Sequence, residues 1–308
     1  MNNAIVLRAL DGSNPLAFLA ALGTLRLLQS HKPEVALCMR WVREEVWRPE
    51  LSGLSQSEDE LCKMLLAAKT VPTESFRSVG KDLTVPTQVY RKFVEEAFDV
   101  IRENSDRTQA DFAAAFGSEV CEEEGKDRIE RTDFCFITGS GHQHFLATMD
   151  GLAQKVTEHH IFDALFGEWR KEEKLSMRWD PSDAAEYAFR WGDPSKDGAR
   201  SVWGANWLAI EALPLFPTQP TRSGLRTTGF TEGGKGEWPC FAWPIWTQEA
   251  RLDTVRSLLS LADVRKAGEE TARMGLRARG IQDVYQAPRV RIGQGANFKV
   301  SFRPATVV

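Results

Sequence analysis

The sequence lacks the cysteine pairs on which zinc sites and disulfide frameworks are built. Its five cysteines, an odd number, stand at positions 38, 62, 121, 135 and 240, and no two of them form a Cys-x-x-Cys pair. Neither type of site is therefore expected, and this cysteine usage fits a reducing cytoplasm. We also find no signal peptide, and the first apolar run, Leu16 to Leu28, is interrupted by Gly23 and Arg26 and is too short to cross a bilayer. We expect a soluble cytoplasmic protein with no membrane partner.

Catalytic signatures are also missing. The glycine-containing stretch 138–145 lacks the lysine and the spacing of a Walker A loop. No Gly-x-Ser-x-Gly elbow, no Cys–His nucleophile arrangement and no kinase motif set occurs in the chain. The carboxylate pair Asp180 and Asp183 follows the pattern of turns and helix caps beside a proline. The sequence therefore favours a non-catalytic protein that needs no cofactor or metal.

The net charge of the chain is small, but acidic and basic residues are unevenly distributed along it. The formal net charge of the 308 residues is −4, which excludes a protein that is basic as a whole. The stretch 95–133 holds 13 acidic and 5 basic residues, whereas 251–308 holds 11 basic and 5 acidic residues. An acidic middle and a basic end predict a partner that contacts only part of the surface.

The order of helix-like and strand-like segments predicts the fold class. Strands and helices mix without a regular βαβ repeat, which favours an α+β fold with short antiparallel strands. Residues 1–135 are expected to form an N-terminal α+β region with an acidic helical part. Residues 136–308 are expected to form a C-terminal α+β region with Arg/Trp-rich loops and a basic tail, although a single domain is the alternative.

Several local predictions bear on the site. Asn14 and Pro15 have the residue types of an N-cap and a first helical position, and they precede an apolar helix that we expect to be buried. Residues 133–137 read as a short buried strand, and 224–230 reads as a strand paired with 241–245. Residues 286–292 and 297–302 read as two further strands.

Nucleic-acid contact is the function that the residue types favour. Arginine forks suit phosphates, and aromatic faces stack on bases. Two near-repeats, Arg-Trp-Asp-Pro-Ser at 178–182 and Arg-Trp-Gly-Asp-Pro-Ser at 190–195, are interpreted mainly as turns with core tryptophans. The glycine-rich stretch at 139–144 offers amides to a phosphate at a helix start. The candidate contact residues are Gly139, Ser140, Gly141, His142, Gln143, His144, Arg190, Arg200, Asn206, Arg222, Arg226, Arg289, Arg291 and Lys299.

Two alternatives stay open. The first is a metal-dependent nuclease or phosphate-ester hydrolase that uses the 139–144 loop, although His142 and His144 stand two residues apart and would fall on different faces of a helix. The second is a structural adaptor that binds only other proteins, through the helix expected at 88–103.

Several runs resemble CRISPR-associated proteins of subtype I-G, formerly I-U. They are the opening 11–23 run with Pro-Leu-Ala and Ala-Leu-Gly, then 140–145, 164–167, 178–181, 204–206 through 211–214, and 243–246. The chain is similar to the effector-complex large-subunit family or to the helicase–nuclease-extension family of these systems. The resemblance implies a component of a type I interference system of the Cascade kind. Its expected partners are the effector-complex proteins or the helicase–nuclease, and DNA and/or guide RNA. It supplies no catalytic residues.

Overall fold

The computed structural model describes residues 4–70, 75–137, 143–183, 200–231, 238–292 and 299–308. In these ranges the helices are α1 Pro15–His31, α2 Glu58–Ala67, α3 Thr87–Asn104, α4 Thr108–Phe116, α5 Phe145–Lys155, α6 Glu158–Leu165, α7 Trp203–Ala212, α8 Leu252–Ser260 and α9 Glu270–Ala278.

The strands in the same ranges are β1 Ala4–Val6, β2 Cys38–Arg43, β3 Trp47–Ser52, β4 Gly117–Glu122, β5 Ile129–Arg131, β6 Glu172–Glu173, β7 Arg200–Ser201, β8 Thr218–Thr221, β9 Gly224–Thr227, β10 Cys240–Trp246, β11 Ile281–Ile292, β12 Lys299–Phe302 and β13 Thr306–Val307. Every pairing among these strands is antiparallel. The predicted α+β class without a regular βαβ repeat is confirmed.

Helix α1 lies at the centre of the protein. Its N-cap is Asn14, whose side-chain oxygen accepts from the amides of Leu16 and Ala17 at 2.8 and 3.3 Å, as the sequence predicts. All residues from Pro15 to Leu28 are buried. Because the helix is apolar on all sides, it packs against neighbours all round instead of presenting a polar face to water.

The closest neighbour of α1 is α7. At their contact a Cβ on Gly23 would lie 1.7 Å from the carbonyl oxygen of Leu208, so only glycine permits this separation. A buried ion pair crosses the same interface: Arg26 Nη1 lies 3.0 Å from Glu211 Oε2. The hydroxyl of Thr70 donates to the same carboxylate oxygen at 2.5 Å.

Two sheets flank this helical centre. One has strand order β1–β3–β2, and the other has β10–β11–β12 with β13 also paired to β11. They are joined by an isolated bridge between Met39 and Ala250, and Trp246 Nε1 donates to the Met39 carbonyl at 2.9 Å. One hydrophobic core contains buried residues from both predicted regions, whose separation as domains stays a prediction.

The strand predicted at 224–230 is only partly correct. Residues Gly224–Thr227 form β9, but β9 pairs with β8 and not with the strand that begins at Cys240. Only a single bridge, Phe230 to Phe241, joins the two segments. The ladder partner of β10 is β11, with which it pairs along its whole length. The strands predicted at 286–292 and 297–302 correspond to the end of β11 and to β12.

Candidate nucleic-acid interface

The β11–β12 hairpin carries the basic end of the chain. Its register pairs Arg289 with Phe302, Arg291 with Val300, and Ile292 with Lys299. Cross-strand partners share a face of the sheet, so Arg289 and Arg291 lie on one face, as their alternation in the sequence predicts. Arg291 is exposed and Lys299 is half-buried.

No Asp or Glu occurs in the paired part of this hairpin, 289–292 with 299–302. From 284 to 308 the sequence contains no Asp or Glu, while it contains Arg289, Arg291, Lys299 and Arg303. Arg303 is exposed, and its amide donates to the Pro288 carbonyl at 2.9 Å, which continues the pairing of the two strands. The stretch 284–308 therefore contributes three cations outside Arg289 and no carboxylate side chain.

Arg289, unlike the other three, is enclosed by its surroundings. Its Nη1 lies 3.4 Å from Asp133 Oδ1, and its Nη2 donates to the Cys135 carbonyl at 3.2 Å. The guanidinium carbon lies 5.0 Å from the ring centroid of Phe136 and 4.9 Å from that of Trp238. Burial lowers the pKa of Arg289 and raises the pKa of Asp133, and the attraction between the two charges opposes both shifts.

The segment that holds Arg289 was expected to be a strand, and that prediction is wrong. Residues 134–137 are buried and Asp133 is half-buried, but none of the five belongs to a strand. Their amides bond locally or to side chains: Cys135 donates to the Thr132 carbonyl at 3.0 Å, and Asp133 donates to the Thr227 hydroxyl at 2.8 Å. An apolar run alone does not distinguish a buried strand from a buried turn, because both give the same pattern of hydrophobic residues.

Arg178 joins three distant parts of the chain. Both Nε and Nη2 of its guanidinium donate to Gln143 Oε1, and the distance from Nε is 3.2 Å. Its backbone carbonyl accepts from the Ser301 hydroxyl at 3.4 Å. Its backbone has a φ of 64°, in the left-handed region that non-glycine residues rarely adopt. The next residue, Trp179, is fully buried and donates from Nε1 to the Phe134 carbonyl at 3.0 Å.

The Asp-Pro-Ser turn that follows is built from buried polar groups. Asp180 Oδ1 accepts from the Ser182 amide at 3.0 Å and from Asn14 Nδ2 at 3.1 Å, which ties the turn to the N-cap of α1. Asp183 accepts from the Ser176 hydroxyl at 3.0 Å and lies 3.3 Å from Lys171 Nζ.

The pKa of Asp183 is raised to about 7. Burial is the main cause, and the neighbouring Asp180 charge adds to it, while Lys171 and Ser176 act in the opposite direction. These carboxylates hold the turn together, in agreement with the capping role that the sequence indicates.

The β8–β9 hairpin brings two further candidate arginines to the surface. Arg222 lies exposed in the turn between the strands, and Arg226 donates from Nη2 to Gln219 Oε1 at 3.2 Å across the hairpin. Thr227, the neighbour of Arg226, contacts Asp133, which also pairs with Arg289. The two hairpins therefore flank the same turn.

Arg200 and Asn206, two further candidates, have structural partners. The Arg200 side chain lies 3.2 Å from Glu173 at an exposed position. Asn206 is 1% exposed, and its amide accepts from the Met177 amide at 2.9 Å and donates to the Val202 carbonyl at 3.0 Å. This burial places Asn206 in the core, where it supports the Arg178 segment and has no surface to offer a ligand.

His144 begins α5, and its Nδ1 lies 3.5 Å from Asp82 Oδ2. Five candidates, Gly139, Ser140, Gly141, His142 and Arg190, lie outside the described residues. Among the residues that are described, no group of three or more His, Cys, Asp or Glu side chains is placed to hold a metal ion. The same ranges contain no helix with the length and apolar character needed to cross a membrane.

Sequence reasoning missed Trp238, Phe136 and Asp133. These residues approach Arg289 from two segments, 133–136 and 238, that are far from it in the chain, and no local spacing indicates that they meet. Comparison with known proteins adds no identity: no family model matches the chain, and no curated protein matches it.

Proposed function

We propose that this protein is a non-catalytic, nucleic-acid-associated component of a type I CRISPR-Cas interference system that works in the cytoplasm. It contacts the backbone of DNA or RNA and binds effector-complex proteins or the helicase–nuclease. The observation that supports contact with nucleic acid best is the β11–β12 hairpin, on which Arg291, Lys299 and Arg303 reach the surface and no carboxylate occurs from 284 to 308. Surface cations are the groups that replace the counterions of a phosphate backbone.

The CRISPR part of the proposal depends on the sequence runs that resemble subtype I-G proteins. Those runs that the structure describes are mostly buried: α1 contains one, Trp179 another, and α7 and β10 two more. Buried positions constrain packing and not ligand chemistry, so what these runs would share with that group is a fold. The hairpin argument is independent of them.

A salt titration tests the nucleic-acid proposal. If the three hairpin cations each contact one phosphate, the affinity is expected to fall roughly 20- to 40-fold between 50 and 200 mM salt, from slopes of about −0.7 to −0.9 per contact. The double variant Arg291→Ala/Lys299→Ala is expected to reduce the slope of log K against log salt by about 1.4 to 1.8. Filter binding with labelled single-stranded and duplex oligonucleotides gives both quantities.

A matched control removes the same charge elsewhere. Lys92 and Arg102 are exposed on α3, and their double alanine variant is expected to leave the slope unchanged. No binding by wild type, or binding that is independent of salt, would refute the nucleic-acid proposal. An equal loss of slope in the α3 control would show a general charge effect and refute the role of the hairpin.

The acidic stretch supports the protein-partner part of the proposal. It forms α3, α4, β4 and β5, and Phe98 on α3 is 52% exposed between Glu95 and Asp99. An exposed phenylalanine flanked by carboxylates suits a basic, partly apolar protein surface. Affinity capture from the native host with wild type and Phe98→Ser, each with and without nuclease, tests this. The proposal expects a partner that survives nuclease with wild type and is lost with the variant.

A further inference from the structure

Trp238 is unlike the other tryptophans of the described ranges. It is 38% exposed, whereas Trp169 and Trp203 are half-buried and Trp41, Trp47, Trp179, Trp207, Trp243 and Trp246 are buried. Isolated exposed apolar side chains are common on protein surfaces, so exposure by itself indicates no ligand. What distinguishes Trp238 is the group that lies against its ring.

The indole is supported by a fixed cation. The guanidinium carbon of Arg289 lies over the rings of both Trp238 and Phe136, with centroid distances of 4.9 and 5.0 Å. The guanidinium is itself held by Asp133 and by the Cys135 carbonyl. Because the guanidinium lies over one face of the indole, that face is covered by protein, and we take the exposed surface of the ring to be its other face and its edge.

The position of this ring places it beside the basic hairpin. Trp238 precedes Pro239, whose carbonyl accepts from the Arg289 amide at 3.3 Å. Arg291 lies two residues after Arg289 on strand β11, about 7 Å further along it. An exposed aromatic face next to phosphate-binding cations is the combination by which proteins hold unpaired nucleotides, because the ring stacks on a base while the cations contact the backbone.

We propose that Trp238 is a stacking platform for an unpaired base, and that the ligand of the β11–β12 hairpin is therefore single-stranded nucleic acid. This inference rests on the proposed nucleic-acid function. It adds that the nucleic acid is single-stranded and that Trp238 is the residue that selects this form. A duplex has its bases already stacked and offers no free face to the indole, so it is the disfavoured form.

The test compares three labelled ligands of equal length by fluorescence anisotropy: oligo-dT, the same backbone with abasic sites in place of the bases, and the dT·dA duplex. Trp238→Ala is expected to weaken binding of oligo-dT roughly 5- to 150-fold, the range measured for loss of one base–aromatic stack, and to leave the abasic ligand unchanged. Trp238→Phe keeps an aromatic face and is expected to retain most of the affinity. Met274→Ala, which alters another exposed apolar side chain on α9, is the matched control and is expected to change nothing.

The outcomes separate the two proposals. If wild type binds none of the ligands, the nucleic-acid function fails and the stacking inference fails with it. If wild type binds but Trp238→Ala leaves the oligo-dT affinity unchanged, or weakens the abasic ligand equally, stacking is refuted while the function stands. Tighter binding of duplex than of oligo-dT by wild type also refutes it. Thermal unfolding of each variant identifies any loss of affinity that comes from misfolding. If Trp238→Ala is misfolded, the oligo-dT affinity of Trp238→Phe decides whether the aromatic face is needed.

Discussion

The ion pair between α1 and α7 allows a sharp test of the core. The side chains of Arg26 and Glu211 are 4% and 0% exposed, and the charged atoms lie 3.0 Å apart. At an effective dielectric constant of about 20 the gross attraction is about 5–6 kcal/mol. Desolvation of both charges removes most of this gain, so the pair contributes little net stability, while loss of one partner leaves a buried charge alone. Burial already lowers the pKa of Arg26.

We therefore expect Glu211→Gln to lower the free energy of unfolding by about 3–5 kcal/mol. The double variant Arg26→Met/Glu211→Leu is expected to cost less than this single change, because no unpaired charge remains. Urea unfolding followed by far-UV circular dichroism measures both. Asp99→Asn, which breaks an exposed pair with Arg102, is the control and is expected to cost at most about 1 kcal/mol.

Two results would refute this reasoning. A cost below about 1 kcal/mol for Glu211→Gln would mean that water reaches the Arg26 charge. A double variant as costly as the sum of its two single variants would mean that the two side chains do not interact.

Other features give further predictions. Gly23→Ala is expected to destabilise the protein by at least about 1–3 kcal/mol because its Cβ meets the opposing helix backbone, whereas Gly268→Ala, with no atom within 4 Å, is expected to be neutral or slightly stabilising in the same assay. The pKa of Asp183 in the folded state, about 7, lies above the ordinary 3.8, so the unfolded chain loses this proton first. The stability contribution of Asp183 therefore falls as pH rises from about 4 to about 7, by up to ~1.4 kcal/mol per pH unit. Over that window the free energy of unfolding of Asp183→Asn is expected to rise relative to that of wild type. A difference between the two that does not change with pH would contradict this. Burial raises the pKa of Cys62 and Cys135 to about 12, so iodoacetamide at pH 8 is expected to leave both unmodified until the protein unfolds, as peptide mass spectrometry would show.

The sequence predicts elements whose signals are local. The N-cap at Asn14 and the buried helix α1 follow from residue types and spacing. Strand pairing is harder to predict from the sequence, because it depends on which strand edges meet in space. Residues 224–230 have the pattern of a strand but carry no information that selects β8 over β10 as partner.

The candidate site shows the same division. Alternation along β11 predicts that Arg289 and Arg291 share a face, but not that one is enclosed while the other is exposed. That difference comes from Asp133, Phe136 and Trp238, which approach from other parts of the chain. Asn206 was selected because polar residues near arginine and tryptophan suit ligand contact; its amide instead satisfies backbone groups inside the core.

The contact between α1 and α7 also sets a waiting time during synthesis. Arg26 and Glu211, which face each other in the folded protein, are 185 residues apart. A ribosome that adds about 5–20 residues per second needs roughly 10–40 s to deliver α7 after α1 has been made. Throughout that interval the face of α1 that packs on α7 has no partner to cover it. Recombinant yield is therefore expected to depend on chaperone supply and on growth temperature more strongly than the acidic, polar surface of the finished protein would indicate.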